Sequence, residues 1–149
     1  MTDLNEVWAR ALNLGIVPDI QLCTALIIAL GPRDVSESLR VLTAMDTTGV
    51  LMLGGKQALV PAPHAGVFAA AIEVCHARAS VDGALEVLAR MQRHCDGDLD
   101  IKKFCFGRAM TTCILSGRME VARSLQRQMN DLKIPVSDMI RKSSFASRW

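Results

Sequence analysis

Apolar residues recur along this chain at spacings of three and four, the period of a helix with one buried face, and they do so in seven stretches. In residues 3–14, Leu4, Val7, Trp8 and Ala11 share a face. Residues 20–30 are almost wholly apolar. In 35–45 the stripe is Val35, Ser38, Leu39, Leu42 and Met45, and in 81–94 it is Val81, Ala84, Leu85, Leu88 and Met91. Residues 65–77, 103–115 and 119–132 complete the set. The punctuation agrees with these bounds. Gly15, Gly49 and Ser116-Gly117 stand where helices stop, Gly31-Pro32 breaks another, and Pro18 and Pro135 block continuation. Asp19 and Asp34 are placed to cap the helices that follow them. CDGDLD at 95–100 reads as a turn.

The stretches are not independent. Val7, Val41, Val87 and Leu125 share one column, Trp8, Leu42, Leu88 and Gln126 the next, and Ala11, Met45, Met91 and Met129 close the set. Four residues later come Gly15, Gly49, Cys95 and Lys133, followed by Ile16, Val50, Asp96 and Ile134. The steps between the Met columns are 34, 46 and 38 residues. A unit of this size that recurs predicts stacked helix pairs, each too short to persist alone and each burying its face on a neighbour. Small residues at Ala25, Ala70, Ala84, Ala109 and Ala122 fall where paired helices must approach closely. The expected organisation is a single repeat domain over 1–149: a leading half repeat at 3–19, repeats at 20–53, 65–99 and 100–137, and a tail at 138–149. Residues 54–64, GGKQALVPAPH, do not fit the repeat and explain the long middle step. Two glycines, Pro61 and Pro63 predict an inserted loop or extended linker, whose Ala58, Leu59 and Val60 pack on something.

Composition changes this picture in two ways. Half the residues are hydrophobic and mean hydropathy is +0.25. Either a partner covers a large share of the surface or the core is unusually rich, and the first reading fits an open stack of repeats. Charge is also uneven. Residues 1–100 hold 7 basic and 12 acidic groups, a balance of −5, and residues 101–149 hold 10 and 3, a balance of +7. A basic end on an otherwise acidic chain suits RNA or an acidic protein face. No apolar run approaches the ~20 residues of a membrane span, and the start MTDLNEVWAR does not read as a secretory or transit peptide.

Little here points to catalysis. There is no glycine-rich phosphate loop, no Ser/His/Asp set and no CxxC. Cys75 and His76 are adjacent, so on a helix they point about 100° apart rather than at each other. Cys23, Cys75, Cys95, Cys105 and Cys113 read as small buried hydrophobes in a reducing compartment. With His64, His76 and His94 they make no metal-ligand spacing. No cofactor, metal or small-molecule substrate is expected.

GIVPDIQLCTALIIAL (15–30) is similar to the junction of pentatricopeptide repeats, where a glycine, an apolar residue and Pro-Asp lead into the next first helix. SVDGALEVLARM (80–91) resembles the second-helix signature of that family, and SGRMEVARSLQRQM (116–129) is close to it. The resemblance covers the chain apart from the insertion and the tail. The tetratricopeptide pattern needs a tryptophan and a Leu-Gly pair in the first helix, and none of the three first helices has them. The resemblance implies an all-α, right-handed α-solenoid of about three helix-turn-helix repeats plus a half repeat. It also implies a mitochondrial protein, the chloroplast being the alternative, that binds single-stranded RNA one base per repeat. The base-facing positions would be Thr24, Ala69 and Gly107, with repeat-end positions at Leu53, Leu99 and Ser137. The chain departs from the family there. Ala69 with Leu99 offers a base edge no hydrogen bond, and the phosphate-facing lysine position holds Gly31, Ala77 and Leu115.

What remains for RNA is the basic end: Lys102, Lys103, Phe104 as a stacking surface, Arg108, Arg118, Arg123, Arg127 and Lys133. Two functions follow as expectations. One is a non-catalytic RNA-binding subunit of an organellar ribonucleoprotein, such as the mitoribosome or an RNA-processing complex. It would contact single-stranded or ribosomal RNA through its C-terminal repeat and other subunits through its apolar faces. The other is a protein-binding scaffold or assembly factor without direct RNA contact.

Overall fold

The computed structural model describes residues 4–95 and 97–134. Asp3, Asp96, Pro135, Ser137, the tail at 138–149 and the side chain of Leu4 lie outside the described residues. The described chain is mostly helical. Its helices are α1 (Leu4–Asn13), α2 (Ile20–Leu30), α3 (Val35–Asp46), α4 (Ala65–Ala77), α5 (Val81–His94), α6 (Leu99–Leu115) and α7 (Met119–Asp131). Between α3 and α4 stands an antiparallel hairpin, β1 (Val50–Leu53) and β2 (Lys56–Leu59).

Helices α2, α3, α5 and α6 begin where polar side chains satisfy their first amides. Asp19 accepts from Leu22 N at 2.8 Å, Asp34 from Ser36 N at 2.8 Å and Ser80 from Gly83 N at 3.1 Å. Asp98 accepts from Ile101 N at 3.1 Å, so α6 starts at Leu99, four residues before the predicted start at 103. Part of the expected turn at 95–100 is therefore helix. The cap and the buried Ile101 outweigh the turn character of the preceding residues. At the other ends the repeat column is visible in the backbone. Gly15, Gly49 and Lys133 take positive φ, at 77°, 70° and 58°, while Cys95, the fourth member of the column, stays at −125°.

Helices α2, α4 and α6 pack side by side in chain order. Each also packs on the helix that follows it: α3 on α2, α5 on α4, α7 on α6. The columns are the core. Cys23, Phe68 and Phe106 are fully buried, as are Val41, Val87 and Leu125, and Met45, Met91 and Met129 are buried with them. Ala84, Ala109 and Ala122 have no exposure, as close packing requires. Ala25 does not follow: it faces solvent. Ala70 is half-buried and lines a groove rather than a helix contact. Side-chain bonds cross the pairs. Ser38 Oγ donates to Ile27 O at 2.6 Å, tying α3 to α2. Thr112 donates to Arg108 O at 2.8 Å, so its oxygen takes the Nδ1–H of His76, 3.1 Å away, tying α4 to α6.

The N-terminal end differs from the expectation. Residues 50–59 are a hairpin, not the close of one repeat followed by a loop. Gly54 and Gly55 both take positive φ, 57° and 77°, the two-residue turn that glycine pairs favour. Along β1, Leu51 and Leu53 turn inward and Met52 outward. Leu53 is thus a core residue at 3% exposure and cannot meet a base. Helix α1 packs on this hairpin. Trp8 is 1% exposed, and its indole N–H donates to Lys56 O at 3.1 Å. Its neighbour in the predicted stripe, Val7, is 42% exposed, so α1 does not bury the whole face that the periodicity drew.

Trp8→Ala is expected to release α1 and the hairpin together. Removing a buried tryptophan costs about 3–5 kcal/mol when nothing relaxes, and local detachment is the cheaper route. Native-state hydrogen exchange should show lost protection at residues 4–13 and 50–59 and retained protection in α4 to α7. Equal loss throughout would mean that this end is not separable.

Candidate functional site

The basic residues near the C-terminal end divide between two surfaces. In α7 the buried stripe is Ala122, Leu125 and Met129. That stripe turns Arg123 and Arg127 outward on one row, a helical turn apart. Arg118 precedes the helix and Lys133 follows it, both exposed. Helices α6 and α7 are joined by the short Ser116–Arg118 turn, so they run antiparallel. The start of α6, with half-buried Lys102 and exposed Lys103, therefore lies at the same end as Arg127 and Lys133. Lys102, Lys103, Arg127 and Lys133 thus make that end of the helix pair basic, with Arg123 a turn further along α7 and Arg118 at the opposite end. The only described acids on the two helices are Asp100, Glu120 and Asp131.

Phe104 and Arg108 belong to the other surface. The Arg108 guanidinium stands over the Phe104 ring, 5.5 Å from its centroid. Its Nε lies 2.5 Å from Glu73 Oε1 of α4, an attraction of charges without hydrogen-bond alignment. Arg108 is therefore committed to a protein carboxylate. Sequence reading did not single out Glu73. The signal was the register itself, since Phe68 and Phe106 align and bring Glu73 and Arg108 within a turn of each other.

Beside this pair a groove of about 670 Å³ crosses α2, α4 and α6. Ile28, Ala69, Ala70, Ala77 and Phe104 line it, with Glu73 and Arg78 as its charged groups. Its end is set by Gly31, where a Cβ would come within 2.6 Å of Val74 Cγ1, so α2 presses directly on α4. Of the expected base-facing residues, only Ala69 lines this groove. The Thr24 hydroxyl donates to Ile20 O of its own helix at 2.7 Å. Gly107 is half-buried beside open space. Leu99 is the first residue of α6 and half exposed, not a repeat end. Thr24, Ala69 and Gly107 stand at corresponding positions of α2, α4 and α6, but Ala69 and Gly107 carry no hydrogen-bonding side chain and the Thr24 hydroxyl is bonded to its own helix.

A second charged cluster also went unread. Asp46 ends α3, and its side chain is 2% exposed. Arg90 reaches it at 2.5 Å, and Arg93 and His94 bond the same carboxylate. Burial pushes the Asp46 pKa up, but the hydrogen bonds from His94, Arg90 and Arg93 prevail and hold it below the usual carboxylate value. These partners lie more than forty residues away in sequence, so no local pattern announces them.

The five cysteines are buried and free. Burial pushes the thiols of Cys75 and Cys105 up to about 12 and that of Cys23 to about 11, which keeps them protonated and poor nucleophiles. Among the described residues no group of His, Cys, Asp and Glu could hold a metal, and no helix is long and apolar enough to cross a membrane. No protein-family model matches this chain, and no curated protein matches it.

Proposed function

We propose that the chain is a non-catalytic helical-repeat protein of the pentatricopeptide type, a right-handed α-solenoid that contacts RNA as a subunit of an organellar, mitochondrial ribonucleoprotein. The observation that carries the reading is the basic end of the α6–α7 pair. There the buried stripe of Ala122, Leu125 and Met129 turns Arg123 and Arg127 outward, and the lysines at the start of α6 lie at the Arg127 end. Such a row suits phosphates, which bind by charge and position rather than by base identity. The repeat columns and the chain-order packing of helix pairs support the solenoid. Two of the three base-facing positions, Ala69 and Gly107, lack a polar side chain, which favours a fixed subunit of a larger particle over a free reader of sequence.

The test is binding of a labelled single-stranded oligouridine over a range of salt. The double variant Lys103→Glu, Arg127→Glu should bind at least tenfold more weakly. Its slope of log affinity against log salt should fall by about 1.4, at ~0.7 per lost phosphate contact on a single strand. The alternative, a protein-binding scaffold without RNA contact, is favoured by the apolar groove on α2, α4 and α6. Under it the unmodified chain binds the oligonucleotide no better than the double variant.

A further inference from the structure

We infer that the groove across α2, α4 and α6 is a docking site for a short amphipathic segment of a partner protein, one with an apolar face and an acidic residue that meets Arg78. This surface is separate from the basic end, so the inference stands or falls independently of RNA binding there.

The groove's charge selects the occupant. Its one carboxylate, Glu73, is already matched by Arg108. Arg78, the exposed cap residue of α4, makes no ion pair among the described residues and lies on the groove wall. The groove therefore presents one uncompensated positive charge beside an apolar floor. Small side chains at Ala69, Ala70 and Ala77 make the floor low, while Ile28 and Phe104, 54% and 38% exposed, stand at either side.

Length points the same way. Ile28 is on α2 and Phe104 on α6, two helix spacings apart, or roughly 16–20 Å. A helix of roughly 12 residues covers that distance, with apolar anchors at positions i, i+3 or i+4, and i+7. A nucleic-acid strand is a poorer occupant. It needs a row of cations along its path, whereas the matching column here is Gly31, Ala77 and Leu115, and Glu73 faces the same space. The chain's own basic tail, with Arg141, Lys142 and Arg148 against Asp138, has the wrong sign for Arg78.

The test uses the full chain and a displayed library of random peptides of roughly 12 residues, a length set by the groove. Selected peptides should carry helically spaced apolar residues and one acid. A synthetic copy should lose at least tenfold in affinity for Arg78→Glu. Exchanging the peptide's acid for lysine should restore binding to that variant and weaken it to the parent. Ala70→Trp, which fills the floor, should abolish binding while leaving the helical signal and thermal midpoint close to the parent's. Lys103→Glu, Arg127→Glu should bind the peptide normally. Selected peptides that tolerate both Arg78→Glu and Ala70→Trp would overturn the proposal. So would an oligouridine that is displaced by Ala70→Trp, since the groove would then be an RNA site.

Discussion

Ala84→Arg is expected to unfold at least the α4–α5 pair. Ala84 is fully buried in the first turns of α5, where the neighbouring Gly83 has Cys75 Sγ of α4 and Val35 of α3 within about 3 Å of where its own Cβ would stand. There is no room for a long side chain. A guanidinium forced into that contact carries both an overpacking cost of about 1–3 kcal/mol and the desolvation of a charge with no partner, several kcal/mol more. The sum reaches the total stability of a small domain, about 5–15 kcal/mol. Circular dichroism during thermal unfolding is the measurement. The folded signal should be lost, or the midpoint should fall by well over 10 °C on the usual scale of a few degrees per kcal/mol. An unchanged midpoint would mean that α5 does not pack on α4 in this register.

Asp46→Asn should remove about 2–3 kcal/mol, the scale for breaking a buried ion pair less an allowance for the exposure of Arg93. The carboxylate receives Arg90, Arg93 and His94 at once and joins the end of α3 to the end of α5. The amide keeps the shape and loses the charge, which leaves the two arginines facing a neutral group. The effect has a defined dependence on pH. The folded pKa lies below the ordinary value of 3.8. The carboxylate's stabilisation is therefore complete above the unfolded value and is lost as pH falls from 3.8 through the lower folded value. Denaturant titrations of parent and variant should differ above pH 4, and the gap should close as pH falls below that value. A gap that instead opens as pH falls would show that Asp46 is not held ionised by its partners.

Much of the helical organisation could be read before any coordinates. The stripes of α3, α5 and α7 carry enough amphipathic periodicity to fix which face is inside, and Val41, Val87 and Leu125 are buried where their shared column placed them. The glycine column anticipated the left-handed stops at Gly15 and Gly49, because only a residue without a side-chain penalty sits there cheaply. The hairpin was legible in principle: Gly54-Gly55 between VLML and KQAL is a turn signal flanked by short apolar runs. It was missed because Val50 and Leu53 also fit the end of a repeat, and a four-residue run cannot decide between the two by its period.

The candidate surfaces divide along the same line. The outward row of Arg123 and Arg127 followed from one helix and its stripe, so the sequence alone determined it. The commitment of Arg108 to Glu73, the Asp46 cluster, the docking of Trp8 on Lys56 O and the groove with its unmatched Arg78 all join residues from different helices or from helix and hairpin. Periodicity fixes which way a side chain faces relative to its own helix axis. It carries no information on what stands opposite, and only the packing of one pair on the next decides which charges are spent within the protein and which remain for a partner.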